Sequence, residues 1–429
     1  MKKYIVFIIC IALVSFASCE EDEPKVAAYD AHARDVLYNV MKTQYLWNKL
    51  MPDVKKEDYP GPYELLDAMR YKKLDRWSFM QGYNEYMQQN QGIFVGHGIR
   101  IGLDENNKAR IAQIYKKAKL YEQGVRRGWI VKKLNDVELA PILIQDDYEA
   151  YDKLMGTSQA GVTNKFLFET PDGQEITITD SKASFTLNTV IHYDTLELKT
   201  GTTGHLVFEQ FISPSNEELK DAFEFFKQNN INNIIVDLRY NGGGNLSVLQ
   251  NLAAHIGGSS RFGKPFLKLT YNEDRQSDNW DMNFGSVSSA VSVNKMIVIT
   301  TRMTASASED LINGLKPFME IHTIGDTTNG KPVGMEGITY SRKYIFFPIT
   351  FTLFNIENES DFYEGFAPKK YVPDDIAHDW NNRNEACLKE AIYLLENGTV
   401  SPTKGGYKYR KPTMFSEGSK PDNAYLIDK

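Results

Sequence analysis

The sequence is poor in cysteine: its 429 residues include three, and they do not provide a disulfide framework. Cys10 lies inside an apolar N-terminal stretch with the character of a leader peptide, and Cys19 lies shortly after that stretch. Only Cys387 is then left in the body of the chain. No intrachain disulfide is therefore expected, although a secreted protein meets conditions that would permit one.

Histidine is also scarce, and an excess of positive charge is missing. The seven histidines are scattered singly, and no Cys/His cluster has the short spacings of a zinc site. We therefore predict no metal and no other cofactor. The net charge of −7 argues against a general nucleic-acid binder, because that class of protein presents a basic face.

Beyond residue 18 the sequence contains no further transmembrane run, and the apolar residues 4–14 are too few to span a bilayer. Lys2 and Lys3 precede this stretch, and the sequence Phe-Ala-Ser-Cys follows it. Small residues before a cysteine resemble the cleavage site of bacterial lipoproteins, with residues 1–18 as the signal peptide and Cys19 as the lipidated residue. Simple secretion, with Cys19 near the cut by chance, is the alternative.

Four acidic residues follow Cys19, in a segment that we take as a tether over residues 19–27. They resemble the acidic tag of surface-exposed lipoproteins in the Bacteroidetes group, although an acidic tether is also a solvated linker. The resemblance implies a lipid-anchored outer-membrane protein that faces the periplasm or the cell surface.

The remaining chain has the composition of a globular protein, with 42% apolar and 24% charged residues, and its length predicts two or three domains. Apolar residues at three-to-four spacing predict helices in a first region, residues 28–90. Short β-like runs with turn signals follow over residues 91–188. Their order resembles a PDZ domain, which binds an extended peptide along a sheet edge.

In that resemblance one short segment of the β-rich region would bind the carboxylate of a peptide: Gly96, His97, Gly98 and Ile99. The alternative is a small β-rich domain of another kind.

A third region, residues 189–400, alternates strand and helix. Buried strands at 205–208 and 234–238 flank a helix at 217–228, which predicts a βαβ unit and an α/β core. A final helix over 385–396 ends before Gly398, and residues 401–429 are predicted to be a flexible tail. The fold class is therefore α/β and multidomain.

A glycine-rich corner follows the second of these strands, with the sequence Asp-Leu-Arg-Tyr-Asn-Gly-Gly-Gly ending at Gly244. Such a corner lets backbone N–H groups face an anion at a helix N-terminus. It matches neither a phosphate loop nor a dinucleotide fingerprint, because no Lys-Ser/Thr follows and the glycines are consecutive. An oxyanion site and a purely structural turn remain.

Two serines, Ser306 and Ser308, lie where another buried strand leads into a helix. Ser306 with Glu309 fits a capping box, and Asp310 adds a second acid to the first turn. The same geometry suits a nucleophile, since the amide of Ala307 would point toward the reacting carbonyl. Ser308 already lies inside the helix and is the poorer candidate.

Lys331 follows an Asn-Gly turn in a loop restricted by proline and glycine. Taken alone, a loop lysine is a solvated surface charge. No histidine stands in a recognisable relation to Ser306. His322, the nearest, lies in a predicted strand where a structural role is expected.

Together, Asp-Leu-Arg-x-Asn-x-Gly-Gly, Thr-Ala-Ser-Ala-Ser-Glu and Gly-Lys resemble the C-terminal processing (tail-specific) serine peptidases, over roughly residues 90–400. The resemblance implies a crotonase/ClpP-like peptidase core with Ser306 as nucleophile and Lys331, 25 positions on, as general base. The amides of Gly243 or Gly244 and of Ala307 would form the oxyanion hole.

Many family members carry a glutamine four residues after the lysine, and this chain has Met335 there. The resemblance thus implies a cell-envelope serine endopeptidase acting on unfolded or C-terminally presented polypeptides. The alternative is a lipid-anchored peptide-binding protein on the same fold with weakened catalysis.

Overall fold

The structure, a computed structural model, describes residues 28–402 and 413–416. The predicted signal peptide, Cys19 and the acidic tether lie outside the described residues. The helices are α1 (Ala28–Thr43), α2 (Pro62–Met69), α3 (Tyr83–Asn90), α4 (Lys119–Glu122), α5 (Ala140–Ile144), α6 (Tyr148–Met155), α7 (Ser215–Gln228), α8 (Leu246–Gly257), α9 (Ala307–Leu315) and α10 (Ala386–Asn397). Within these ranges, no helix has both the length and the apolar character needed to cross a membrane.

The strands occur in every region of the described chain. They are β1 (Phe79–Gly82), β2 (Ile93–Gly96), β3 (Ile99–Leu103), β4 (Ala109–Ile114), β5 (Ile130–Leu134), β6 (Val137–Glu138), β7 (Thr163–Glu169), β8 (Glu175–Ser181), β9 (Ala183–Thr186), β10 (Val190–Leu198), β11 (Gly201–Phe208), β12 (Asn233–Asp237), β13 (Pro265–Tyr271), β14 (Trp280–Asn283), β15 (Lys295–Thr300), β16 (Glu320–Gly325), β17 (Val333–Met335), β18 (Ile338–Tyr340), β19 (Tyr344–Phe347), β20 (Ile349–Asn355), β21 (Lys370–Tyr371) and β22 (Met414–Ser416).

The central sheet has the order β10-β11-β12-β15-β16-β21, parallel except for the antiparallel edge strand β10. Helices α7, α8 and α9 pack on one face and α10 packs on the other, so consecutive residues of β12 such as Ile234 and Ile235 are fully buried. The predicted β11–α7–β12 unit and the α/β class are confirmed. Gly398 ends α10 in the left-handed conformation, at φ 71°, as predicted.

The predicted helical region packs on the core. Helices α1 and α2 share a hydrophobic cluster with residues of β17–β20, among them Val333 and Phe346. The region also contains β1, which pairs with β19 and which the helical periodicity did not predict. Pairing with a strand more than 260 residues away leaves no local sequence signal.

The β-rich region forms a sheet of order β22-β3-β4-β5-β7-β8 over its own hydrophobic cluster. Strands β7 and β8 form an antiparallel hairpin, consistent with the β-like runs and turn signals predicted there. The assignment of this region as PDZ-like stays a prediction. Strand β22, by contrast, lies in the segment predicted as a flexible tail, and it is ordered because Phe415 is buried in the same cluster.

A buried ionic network joins the β-rich region to the core. Arg127 of the β-rich region pairs with Asp374 and donates to the Tyr240 hydroxyl at the start of the glycine-rich corner. Arg239 pairs with the same Asp374 and with Glu385 at the N-terminus of α10. Each buried charge therefore has a partner, which offsets the cost of its desolvation.

Candidate active site

The turn at Ser306 joins β15 to α9 in an unusual conformation. Ser306 has φ 55° and ψ −121°, outside the regions that residues with a side chain normally adopt. A backbone of this kind costs on the order of 1–3 kcal/mol and persists only where neighbours enforce it. Here the Thr304 hydroxyl donates to the carbonyl of Leu238 at 2.8 Å, which ties the turn to the end of β12.

The glycine-rich corner lies directly against this turn. Gly243 and Gly244 have φ of 97° and 141°, which only glycine adopts readily. A Cβ atom on Gly243 would lie 2.8 Å from the Ala305 oxygen, 2.9 Å from Ser306 Cβ and 3.0 Å from the Ala307 nitrogen. The structure thus brings together two of the motifs that the sequence singled out.

The predicted oxyanion donors are not equivalent. The Gly243 N–H donates to Asn241 Oδ1 at 2.9 Å. Among the hydrogen bonds of the described residues, none uses the N–H of Gly244 or Ala307. Those two amides remain available to an oxyanion. Gly243, which lacks a side chain, allows the backbone of the glycine-rich corner to lie close to the serine turn.

Lys331 is buried, with 7% of its surface exposed, and it lines the same cavity as Ser306. Burial lowers the pKa of its amine to about 8, against the opposing effect of Asp310, Asp75 and Glu309, whose charges favour the protonated form. The structure thereby excludes the alternative of a solvated surface lysine.

Glu309 joins the serine turn to the lysine loop. One carboxylate oxygen accepts from the Ser306 N–H at 3.0 Å and the Lys331 N–H at 2.9 Å, and the other accepts from the Gly330 N–H at 2.7 Å and the Thr328 hydroxyl. The contact with Ser306 is the one that the predicted capping box requires. Glu309 is fully buried, so its backbone contacts fix the position of Ser306 relative to Lys331.

Asp310 is the second acid of this first helical turn, and it also lines the cavity. Its Oδ1 is buried without a hydrogen-bond partner among the described residues. Burial, with a smaller contribution from Glu309, raises the pKa of Asp310 well above its usual range. Sequence reasoning gave Asp310 only a capping role, because its burial beside Lys331 arises from the tertiary structure.

The cavity has a volume of about 570 Å³ and contains Ser306, Lys331, Asp310 and the glycine-rich corner. Met335 lines it as well, at the position where the resemblance implies a glutamine. A cavity of this size holds a few residues of an extended polypeptide. We call Gly243, Gly244, Ser306, Ala307 and Lys331 together the serine corner.

The segment predicted to bind a peptide carboxylate lies at the start of β3 and is buried. The His97 ring is bonded to Asp180 and, at 2.8 Å, to Asn164, so its side chain has a structural role. Gly98 has φ 71°, and a Cβ there would lie 2.5 Å from Ala118 Cβ. Binding of a carboxylate by the backbone of Gly96, Gly98 and Ile99 stays a prediction.

Two residues that the sequence left aside have structural roles. The Ser308 hydroxyl donates to the Asn241 carbonyl at 3.0 Å and is fully buried, which confirms that Ser308 belongs to the helix wall. His322 lies on β16, and its ring contacts Glu320 on the same strand and Lys369, directly before β21.

One cluster in the described ranges has the residue types of a metal site. His192, Asp194 and His205, on β10 and β11, each place one ligand atom within 4.8 Å of the others. Histidines that are scattered along the sequence are thus brought together by strand pairing.

Comparisons with known proteins assign the chain to a family. Residues 202–369 match the family model described as Peptidase family S41, and residues 33–79 match the Peptidase S41 N-terminal domain. Carboxy-terminal processing protease CtpB of Bacillus subtilis (strain 168) is 22% identical over 333 residues, 73% of this chain and 64% of that protein. A CtpA-like serine protease of Staphylococcus epidermidis is 22% identical over 306 residues, 69% of this chain and 57% of that protein.

A solved structure shares the fold. The crystal structure of an S41 protease from Bacteroides fragilis NCTC 9343 aligns with a TM-score of 0.68 at 21% identity, over 85% of this chain and 97% of that chain. The chain belongs to peptidase family S41. It spans 64% and 57% of the length of these two curated relatives.

Proposed function

We propose that the protein is a serine endopeptidase that hydrolyses unfolded or C-terminally presented polypeptides with a Ser306–Lys331 dyad. The observation that carries the proposal is the buried Lys331 amine, with its pKa lowered to about 8, in the same cavity as Ser306. A lysine at its ordinary pKa is protonated near neutral pH and accepts no proton from serine. Burial supplies the neutral amine that a general base requires.

In the proposed reaction Ser306 Oγ attacks the carbonyl carbon of a peptide bond while Lys331 accepts the hydroxyl proton. The tetrahedral intermediate collapses, the C–N bond breaks, and Lys331 returns the proton to the leaving amine. Water then hydrolyses the acyl-enzyme by the same proton path and restores the serine.

The developing oxyanion is stabilised by the amides of Ala307 and Gly244, which have no partner among the described hydrogen bonds. Removing a donor of this kind costs roughly 3–4 kcal/mol of transition-state stabilisation. The strained backbone of Ser306 and the contact of Gly243 fix these amides before substrate arrives.

Asp310 is the residue that we propose to position the lysine amine. Met335 offers no strong hydrogen bond, whereas Asp310 lines the cavity with an unpartnered oxygen and acts electrostatically on Lys331. Glu309 fixes the backbone of the lysine through its N–H. Asp310 therefore acts through Lys331.

The test measures cleavage of an unstructured polypeptide such as casein. We expect Ser306→Ala and Lys331→Ala each to lower kcat/KM by about 10⁴-fold or more. Ser308→Ala, a serine two residues away, should stay within about tenfold of the parent. Cleavage by both dyad variants at the parent's rate would refute the dyad.

A second candidate function is peptide binding without cleavage, and the apolar Met335 in the cavity is the observation that favours it. Peptide binding with no acyl-enzyme at pH 9, where Lys331 is neutral, would support this alternative. Detection of an acyl-enzyme by mass spectrometry would exclude it.

We also propose that Cys19 carries a lipid and anchors the protein in the outer membrane. The support is the cysteine after a basic and apolar leader. Metabolic labelling with a fatty acid should mark the parent chain and leave Cys19→Ser unlabelled. Equal labelling of both would contradict the proposal.

A further inference from the structure

Strand β22 pairs with β3 although the two are more than 300 residues apart. The pairing is antiparallel, with Met414 opposite Gly102, Phe415 opposite Ile101 and Ser416 opposite Arg100. The Leu103 N–H also donates to the Thr413 carbonyl at 3.4 Å. The chain itself thus covers the sheet edge at which an extended peptide would add a strand.

Phe415 anchors this strand. It is 1% exposed, and its ring lies 4.4 Å from that of Tyr148 and 4.9 Å from that of Tyr151, measured between centroids. Both tyrosines belong to α6, so the aromatic side chain fills a pocket between α6 and β3. Burial of this large apolar side chain stabilises the seated strand.

The direction of β22 also matches that of a bound peptide. Because the pairing is antiparallel, the strand runs from Leu103 toward the start of β3. The segment predicted to bind a peptide carboxylate, with Gly96 and Gly98, lies directly before that start. A peptide in the place of β22 would therefore direct its C-terminal end to this segment.

We propose that Met414–Ser416 is an internal ligand of this edge, and that a polypeptide with an aromatic residue in the place of Phe415 binds by displacing it. The consequence for cleavage rests on the proposed function, whereas the binding step involves neither Ser306 nor Lys331. A tethered segment has an effective concentration near the millimolar range. Its presence therefore weakens binding of a competing peptide.

The binding test uses the full chain with Ser306→Ala, so that no probe is cleaved, and a fluorescent peptide of sequence Thr-Met-Phe-Ser-Glu-Gly-Ser, copied from residues 413–419. We expect Phe415→Ala to tighten peptide binding at least about tenfold relative to the parent, because the competing strand is released. Phe415→Leu keeps an apolar anchor and should stay near the parent. A probe with alanine in place of phenylalanine is the control and should not bind.

Hydrogen exchange on the unmodified chain keeps the proposal testable if Phe415→Ala does not fold. Excess peptide should remove the protection of residues 413–416 while residues 99–103 stay protected. Equal binding to parent and Phe415→Ala, or unchanged exchange at 413–416, would overturn the internal ligand. Either result with normal casein cleavage would leave the proposed peptidase intact.

A separate observation concerns the histidine cluster on β10 and β11. His192 Nε2 lies 3.2 Å from Asp194 Oδ2, and His205 Nδ1 lies 3.2 Å from Asp194 Oδ1. A tetrahedral zinc ion with bonds of about 2.0–2.1 Å separates its ligand atoms by about 3.3 Å. The two His–Asp distances are close to this separation, and the ligand atoms of all three side chains lie within 4.8 Å of one another.

His205 is the residue that makes this cluster unusual. It is 1% exposed; its Nδ1 faces Asp194, and its Nε2 has no hydrogen-bond partner in the described part of the chain. Asp194 Oδ1 is buried, and its one printed contact is the His205 ring. We infer that His192, Asp194 and His205 bind a zinc-like divalent ion, with water completing the coordination.

The test titrates Zn²⁺ and Co²⁺ into the full chain after treatment with a chelator. We expect one ion per chain, visible d–d absorption for Co²⁺, and loss of both in His205→Ala and in Asp194→Asn. His378→Ala, at a surface His–Asp pair with Asp375, is the matched control and should bind like the parent. Absence of stoichiometric binding, or binding that survives His205→Ala, would overturn the site.

Discussion

The serine corner and the β3 edge both lie beside glycine-containing turns, yet they use their backbone polar groups in opposite ways. At the serine corner the Glu309 carboxylate accepts four hydrogen bonds, while the amides of Gly244 and Ala307 have no partner among those described. At the β3 edge the backbone is paired with β22. The proposed catalysis needs hydrogen-bond donors that are fixed and left open, whereas an open strand edge promotes unwanted strand pairing and is covered here by the fold.

The largest predicted effect comes from a substitution that disrupts the serine corner and leaves the β3 edge unchanged. Gly243→Ala introduces a Cβ within 3.0 Å of the serine turn at φ 97°, so it should displace the amides proposed to form the oxyanion hole. We expect kcat/KM to fall by about 10²–10³-fold, with peptide binding at the β3 edge unchanged. Gly242→Ala is the control, because a Cβ there meets no atom within 4 Å. Equal rates in the two variants would contradict this account of the corner.

Glu309→Gln should have the next largest effect. In the parent, N–H and O–H donors face both oxygens of the Glu309 carboxylate. In the variant, the side-chain NH₂ group replaces one of these oxygens and faces donors instead of accepting from them. We therefore expect the free energy of unfolding to fall by about 2–4 kcal/mol. Displacement of Ser306 relative to Lys331 should lower cleavage by up to about 100-fold. Urea unfolding and casein cleavage measure the two effects. Glu320→Gln, at an exposed ion pair, should change neither.

The pH dependence sharpens the electrostatic part of the comparison. Cleavage should rise with pH through about 8, because Lys331, the proposed general base, can accept a proton only after it loses its own. The ionised form of Asp310 raises the pKa of Lys331, so Asp310→Asn should shift the profile to lower pH. The readout is the ratio of the rate at pH 7 to that at pH 9, which should increase. A profile that does not move would show that Asp310 does not act on the lysine.

The smallest predicted effect concerns Met335. Met335→Gln adds an amide to the cavity wall near Lys331, and one hydrogen bond contributes about 0.5–1.5 kcal/mol. We therefore expect kcat to rise by about two- to tenfold with little change in KM. Met335→Leu, which adds no polar group, is the control. If kcat rose in both Met335→Gln and Met335→Leu, the cause would be altered packing and not the added hydrogen bond.

Much of the serine corner could be predicted from sequence because its motifs are local. The buried strand before Ser306, the glycines after β12 and the spacing of 25 residues to Lys331 are each visible in the printed chain. The structure brings all three to one cavity. The depressed pKa of Lys331 could be stated only as a requirement, since it depends on burial by residues from separate elements.

The contacts of Glu309 and the pairing of β22 could not be predicted from local sequence motifs. Glu309 was assigned to a cap, but its contacts with Gly330 and Lys331 depend on where the lysine loop folds. The strand β22 lies in a polar tail, and its buried Phe415 has its aromatic partners about 260 residues earlier. Pairings of this range depend on tertiary packing, which overrides local propensity.

The sequence by itself determined the α/β class, because buried strands and capped helices are encoded within short windows. The resemblance of its motifs indicated the peptidase family, and the Ser306–Lys331 dyad that this resemblance implies stays a prediction. Only the tertiary structure decided which amides stay open, which acids are buried beside Lys331 and which strand covers the β3 edge. Burial and strand pairing depend on the whole chain, and these two factors set the pKa values and the accessible hydrogen-bond donors of the site.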